Sequence, residues 1–114
     1  MDSKTTIKQL KLKVKSFCEQ RDWDQYHNAK DLAIGIITEA AELLEHFRFQ
    51  SEEVLTKKKA EITEEIADIF YFLLRFSERF DIDLSSALAN KIKINNAKYP
   101  VAKCKGSNKK YTEL

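Results

Sequence analysis

The sequence predicts an all-α fold of four helices. Three observations carry this expectation. Leu, Ile, Ala, Glu and Lys dominate, and all but Ile are strong helix formers. The breakers are scarce, with two Gly and one Pro in 114 residues, and Pro100 comes late. Long stretches place apolar residues in steps of three and four, the period of a helix with one buried face. The length suits one domain, expected over residues 1–100 and followed by a basic tail over 101–114.

The first helix is expected from about Thr5 to Gln20, with Ile7, Leu10, Val14 and Phe17 on one face. A polar and aromatic connector, RDWDQYHNAK, follows it. The second helix, from about Asp31 to Phe49, is apolar nearly all round and reads as buried. Ser51, followed by Glu52 and Glu53, has the pattern of an N-cap. Val54 to Lys59 is open between a short helix, a loop and a frayed end. The third helix runs from about Lys59 to Phe80. Its residues Ile62, Ile66, Ile69, Leu73, Phe76 and Phe80 form a heptad-like seam, suited to packing on another helix. Asp83 or Ser85 can cap the fourth helix, which runs to about Lys98. The tail beyond Pro100 reads as extended or mobile unless a neighbour holds it.

The net charge of +2 is near balance and makes no case for nucleic acid or membrane binding. Its distribution is uneven. Half of the eighteen acidic residues lie between Glu39 and Asp68, and seven Lys lie between Lys91 and Lys110. Cys18 and Cys104 are too few for a disulfide framework or a zinc site. The N-terminus lacks a secretory apolar stretch, and uncharged runs such as Leu32 to Thr38 are far too short for a bilayer. A cytoplasmic protein is the expectation.

Four carboxylates stand out. Glu39 and Glu42 are three apart on the second helix, and Glu65 and Asp68 are three apart on the third. Residues i and i+3 share a helix face, so each helix presents a pair. Twenty-two residues separate the pairs, room for a turn and an antiparallel partner. No Lys or Arg occupies an i±3 or i±4 position of any of the four. Solvated surface acids are the bland reading. Against it, Glu39 and Glu42 interrupt an otherwise apolar helix, where unpaired like charges are costly. A divalent cation removes the conflict, and an all-oxygen donor set suits Mg²⁺, with Mn²⁺ as a substitute. A di-iron centre would call for Glu-x-x-His pairs, and neither His27 nor His46 follows a Glu at that spacing.

With these residues in view, EAAE followed after twenty-two residues by EIAD resembles the E-x-x-E…E-x-x-D signature of MazG-like all-α nucleoside triphosphate pyrophosphohydrolases. RDWDQYH, EAAELLEHF, EEIADIFYFLL, NKIKINNAKYP and KKYTEL bring the chain nearest to the dCTP pyrophosphatase branch. The resemblance implies a four-helix MazG-like bundle assembled as a homo-oligomer, commonly a dimer of dimers. It implies hydrolysis of a (deoxy)nucleoside triphosphate, dCTP-like or another dNTP, to the monophosphate and pyrophosphate, as nucleotide-pool house-cleaning. It implies Mg²⁺ held by Glu39, Glu42, Glu65 and Asp68, which are also the catalytic residues. Trp23, Asp24, Gln25, Tyr26 and His27 would lie over the nucleoside, and Lys91, Asn95 and Tyr99 would approach the phosphates or help close the site. Phe49 stands where the branch often has Trp, Phe72 where it often has Tyr, and Val14 where some members have His. Phe49 and Phe72 can stack on a base but lose a hydrogen bond, so base preference stays open. His46 reads as a neighbour of the ligands or a surface group. The alternative is a non-enzymatic helical interaction module built on the third helix's seam.

Overall fold

The computed structural model describes residues 1–114, and every regular element in it is helical. The helices are α1 (Ile7–Gln20), α2 (Ala29–Glu45), α3 (Val54–Lys57), α4 (Lys59–Arg79), α5 (Leu84–Lys98) and α6 (Val101–Cys104). Two 3₁₀ turns, Asp24–Tyr26 and Tyr111–Glu113, complete the list of elements. Two compact units result, Met1–Asp81 and Ile82–Leu114. No helix is long and apolar enough to cross a membrane.

In the first unit, α4 is the central helix and α1, α2 and α3 pack on it. Local chemistry sets the helix ends. Thr6 and Gln9 form a reciprocal capping box at the start of α1. Asn28 caps α2 by accepting from the Asp31 amide at 2.9 Å, which starts the helix at Ala29, two residues before the expected Asp31. Helix α2 stops at Glu45 rather than Phe49: residues 46–49 form turns, and Phe49 adopts a left-handed φ of 58°. Ser51 does not cap with its side chain; α3 begins at Val54 without a side-chain cap. Asp83 caps α5, accepting from the Ser86 amide at 2.9 Å.

The core is small. Cys18, Leu32, Val54, Ile62 and Leu74 are buried. The heptad seam expected on α4 is not one packed face. Ile62 is buried, whereas Ile66, Leu73 and Phe80 are exposed, because the packed stripe also runs through Phe72, Leu74 and Arg75. Nor is α2 buried all round, since Ile37 and Leu44 are each 69% exposed.

Gly35 decides how closely α2 approaches α4. A Cβ at Gly35 would lie 2.5–2.8 Å from ring carbons of Phe72. Only a residue without a side chain lets the ring lie against the helix backbone there.

In the second unit, the end of the chain folds back on α5. The Tyr99 and Tyr111 rings meet edge-on at 5.9 Å, and the Lys98 ammonium sits 4.7 Å from the Tyr111 ring centre. Aromatic and cation–π contacts thus order a tail that composition alone reads as extended.

Candidate metal centre and the aromatic connector

Helices α2 and α4 run antiparallel, and their contacts advance in regular register. Gly35 meets Phe72, and Glu42 and Glu65 come together further along. One turn separates Gly35 from Glu39 on α2, and one turn separates Asp68 from Phe72 on α4. The close approach at Gly35 therefore positions the carboxylate layers beside it.

Glu39, Glu42 and Glu65 each offer an oxygen, and the three oxygens lie within 4.8 Å of one another. Asp68 is exposed and stands outside this trio, although its charge acts on Glu39. Burial, then the hydrogen bond with Glu42, then the charges of Glu42, Asp68 and Glu65 push the Glu39 carboxyl up to about 7. Glu39 Oε2 and Glu65 Oε2 are both buried without a hydrogen-bond partner. Buried carboxylate oxygens are normally satisfied, because leaving one bare costs on the order of 1–3 kcal/mol or more. Hard oxygen donors that converge with two bare lone-pair sites fit a hard divalent cation.

The other Glu65 oxygen is held. His46 Nε2 lies 3.3 Å from Glu65 Oε1, both side chains being largely buried. His46 thus orients a carboxylate of the cluster. Glu42, Glu65 and His46 border an open cavity of about 410 Å³, and Glu45 and Lys58 complete its lining. Lys58 was not legible as a site residue, because it lies among three consecutive lysines outside the acidic motif.

The connector packs on α4. Asp24, Gln25 and Tyr26 form the first 3₁₀ turn. Asp24 is paired with Arg75, and its other oxygen lies 3.8 Å from Arg79. The bond from Arg75 holds the Asp24 carboxyl below its ordinary range. His27 Nδ1 accepts from Arg75 Nε at 2.8 Å. Burial first, then Arg75 and Arg79, lower the His27 imidazole. Trp23 meets the Phe17 ring at 5.6 Å and the His27 ring at 6.1 Å, both edge-on. Gln25 is tied back to Asp22 at 3.0 and 3.1 Å, and Tyr26 is exposed.

Arg75 is a second residue that the sequence did not mark. It is 0% exposed and joins Asp24, His27 and Glu78. An Arg in a long amphipathic helix reads as a surface charge. Only the two acids and the imidazole brought around it explain its burial. Asp68 and Arg75 are seven residues apart, which places them on one stripe of α4 about 10 Å apart along its axis.

A family model, MazG-like, matches residues 34–114. The chain belongs to the MazG-like family. Similar relatives of this MazG-like chain carry the name dCTP pyrophosphatase 1. The protein of Rattus norvegicus is 30% identical over 115 residues, covering 96% of this chain and 68% of its own length. That of Homo sapiens is 29% identical with the same coverage, and that of Bos taurus is 30% identical over 98% of this chain and 70% of its own length. Among solved structures, a pyrophosphatase from Archaeoglobus fulgidus aligns with a TM-score of 0.79 and 36% identity, over 82% of this chain and 92% of that one.

Two aromatic positions of the MazG-like chain differ in setting. Phe72 is half-buried, held between Gly35 and the Tyr71 ring at 5.1 Å. Phe49 is 91% exposed, with the Arg48 guanidinium 4.9 Å from its ring centre. Lys91 and Asn95 belong to the second unit, one turn apart on α5. Lys91 is exposed, and the Asn95 carbonyl accepts from the Tyr99 amide at 2.8 Å.

Proposed function

We propose that the chain is a Mg²⁺-dependent pyrophosphohydrolase that converts a (deoxy)nucleoside triphosphate to its monophosphate and pyrophosphate. The observation that carries this reading is the pair of bare, buried oxygens, Glu39 Oε2 and Glu65 Oε2, in a three-carboxylate cluster beside an open cavity. Membership of the MazG-like family, relatives named dCTP pyrophosphatase 1 and a pyrophosphatase neighbour support the reaction class.

Glu39, Glu42, Glu65 and Asp68 would hold the cation, Mg²⁺ or in its place Mn²⁺. When bound, it would supply neutralisation of phosphate charge and a water polarised for attack on phosphorus. The chain's own groups do the rest. His46 keeps Glu65 turned toward the cluster. Lys58, on the cavity wall, offers an ammonium to the phosphate oxygens. Trp23, Asp24, Gln25, Tyr26 and His27 form the nucleoside end of the site, along α4 from the carboxylates. Stacking of a base on Trp23 or Phe49 is worth roughly 1–3 kcal/mol per base. Phe72 borders the same stripe. Lys91 and Asn95 on α5 are proposed as phosphate contacts on the resemblance alone. The substrate is dCTP or another dNTP, and the protein works in the cytoplasm as a homo-oligomer, a dimer of dimers.

Pyrophosphate release from a panel of nucleotides, with and without Mg²⁺, tests the reading. Cation-dependent release from at least one nucleotide is expected. Glu39→Gln and Asp68→Asn should abolish it while helix content by circular dichroism stays intact. No release from any nucleotide by folded protein would overturn the assignment.

A further inference from the structure

Arg75 reaches the connector with chemistry that the carboxylate cluster does not use. Its Nε–H donates to His27 Nδ1, its Nη1 donates to Glu78 Oε2 at 2.6 Å, and its Nη2 donates to Asp24. A guanidinium stays protonated in a protein, so each of its nitrogens facing a neighbour is a donor. His27 Nδ1 must therefore be an acceptor. A neutral imidazole that accepts at Nδ1 carries its proton on Nε2. An imidazolium would point an Nδ1–H donor at the Arg75 donor. The contact thus selects one tautomer and one charge state of His27.

We propose that Arg75 is a positioning residue that locks His27 in the neutral Nε2–H form, so that the connector presents an uncharged N–H donor to a nucleobase carbonyl or ring nitrogen. The proposal rests on the nucleotide reading above and names which part of the nucleotide His27 reads. A neutral imidazole has no charge to offer a phosphate. The charges around it are also closed, two against two: Arg75 and Arg79 from α4 face Asp24 from the connector and Glu78 from α4. Burial, then Arg75 and Arg79, favour the neutral ring, while Asp24 and Glu78 oppose them without prevailing.

The test begins with ¹⁵N spectra of the imidazoles in the nucleotide-free full chain, with His27 told apart from His46 by a His46→Gln variant. The expected result is an unprotonated Nδ1 and a protonated Nε2 on His27, with a titration midpoint below 6.5. Arg75→Met should mix the two tautomers and raise the midpoint. On the nucleotide preferred in the panel, it should raise KM about 3–10-fold, the worth of one hydrogen bond, with little change in kcat. A protonated Nδ1 in the wild type overturns the proposal, even if Arg75→Met does not fold. So does a folded Arg75→Met with unchanged tautomer and unchanged KM. An Nε2–H tautomer as expected, in a protein that hydrolyses no nucleotide, retains the Arg75–His27 lock and overturns the nucleobase as its ligand. The failure of the lock and the failure of the nucleotide reading are thereby separated.

Discussion

Glu39 ties the site to the stability of the fold. Its carboxyl titrates near 4.5 when unfolded and at about 7 in the folded, cation-free chain. A raised carboxyl gives stability that is fully present below about 4.5 and is lost as pH rises through about 7. His27 works the other way. Its imidazole is lowered when folded, so stability from the neutral ring is present above 6.5 and lost as pH falls below it. Comparing wild type with Glu39→Gln isolates the first effect. Thermal melts without divalent cation should show wild type losing stability between pH 4.5 and 7 relative to Glu39→Gln, which has no carboxyl to titrate. Mg²⁺ should restore wild type above pH 7 and leave the variant unmoved. Parallel pH profiles for the two proteins would show that the Glu39 carboxyl is not raised, and a wild type unmoved by Mg²⁺ would remove the cluster as a cation site. Phe49 allows a second comparison. A left-handed backbone costs a bulky L-residue roughly 1–2 kcal/mol, so Phe49→Gly should hold or raise the melting temperature. If its exposed ring stacks on the base, the same change should raise KM. A Phe49→Gly enzyme with unchanged KM would take Phe49 out of the substrate site.

At the scale of elements, the approach of α2 to α4 brings the carboxylates together, and Gly35 sets that approach. In an exposed helix, Gly→Ala gains about 1 kcal/mol. Here the added Cβ falls within 2.8 Å of three Phe72 ring atoms. Overpacking of that kind costs about 1–3 kcal/mol, enough to cancel or outweigh the gain. Gly35→Ala should therefore destabilise the chain by up to about 2 kcal/mol in urea melts, and weaken Mg²⁺ binding by prising Glu39 from Asp68 one turn away. Adding Phe72→Leu should return part of both losses. A stabilised Gly35→Ala protein with unchanged Mg²⁺ affinity would show that this contact does not set the helix spacing. The helices and the acid pairs were legible from sequence because 3.6-residue periodicity, caps and i,i+3 spacing are local properties. Local pattern could not show that Gly35 opposes Phe72, that Lys58 lines the cavity, or that a buried Arg75 holds the connector. The first and third depend on residues tens of positions apart meeting in space, and the second on α2 and α4 bringing Glu42, His46 and Glu65 to one cavity. The same limit explains the α4 seam, where apolar spacing identified a helix but not which half of its face the chain itself covers.

At the scale of the molecule, the first unit leaves apolar side chains in stripes that its own fold does not cover. Ile34, Ile37 and Leu44 follow one side of α2, with 48%, 69% and 69% of their surfaces exposed. Ile66, Phe70 and Leu73 follow one side of α4, at 53%, 38% and 41%. Scattered exposed apolar residues are ordinary, but ordered stripes on adjacent helices mark a surface meant to be covered. Burying one large aliphatic side chain is worth about 1.5–3 kcal/mol, so a few of these outweigh the cost of association. A second copy of the chain is the occupant we expect, since antiparallel helices with exposed stripes suit an isologous contact. The wild type should elute and scatter light as a multiple of 13.3 kDa at micromolar concentration. Ile37→Asp with Leu44→Asp should shift it toward one copy, because charge buried in an apolar interface is strongly disfavoured. Both positions lie off the carboxylate cluster, so Mg²⁺-induced stabilisation of each surviving monomer should persist. A wild type that runs as a single 13.3 kDa species would end the oligomer assignment and leave these stripes to a different partner.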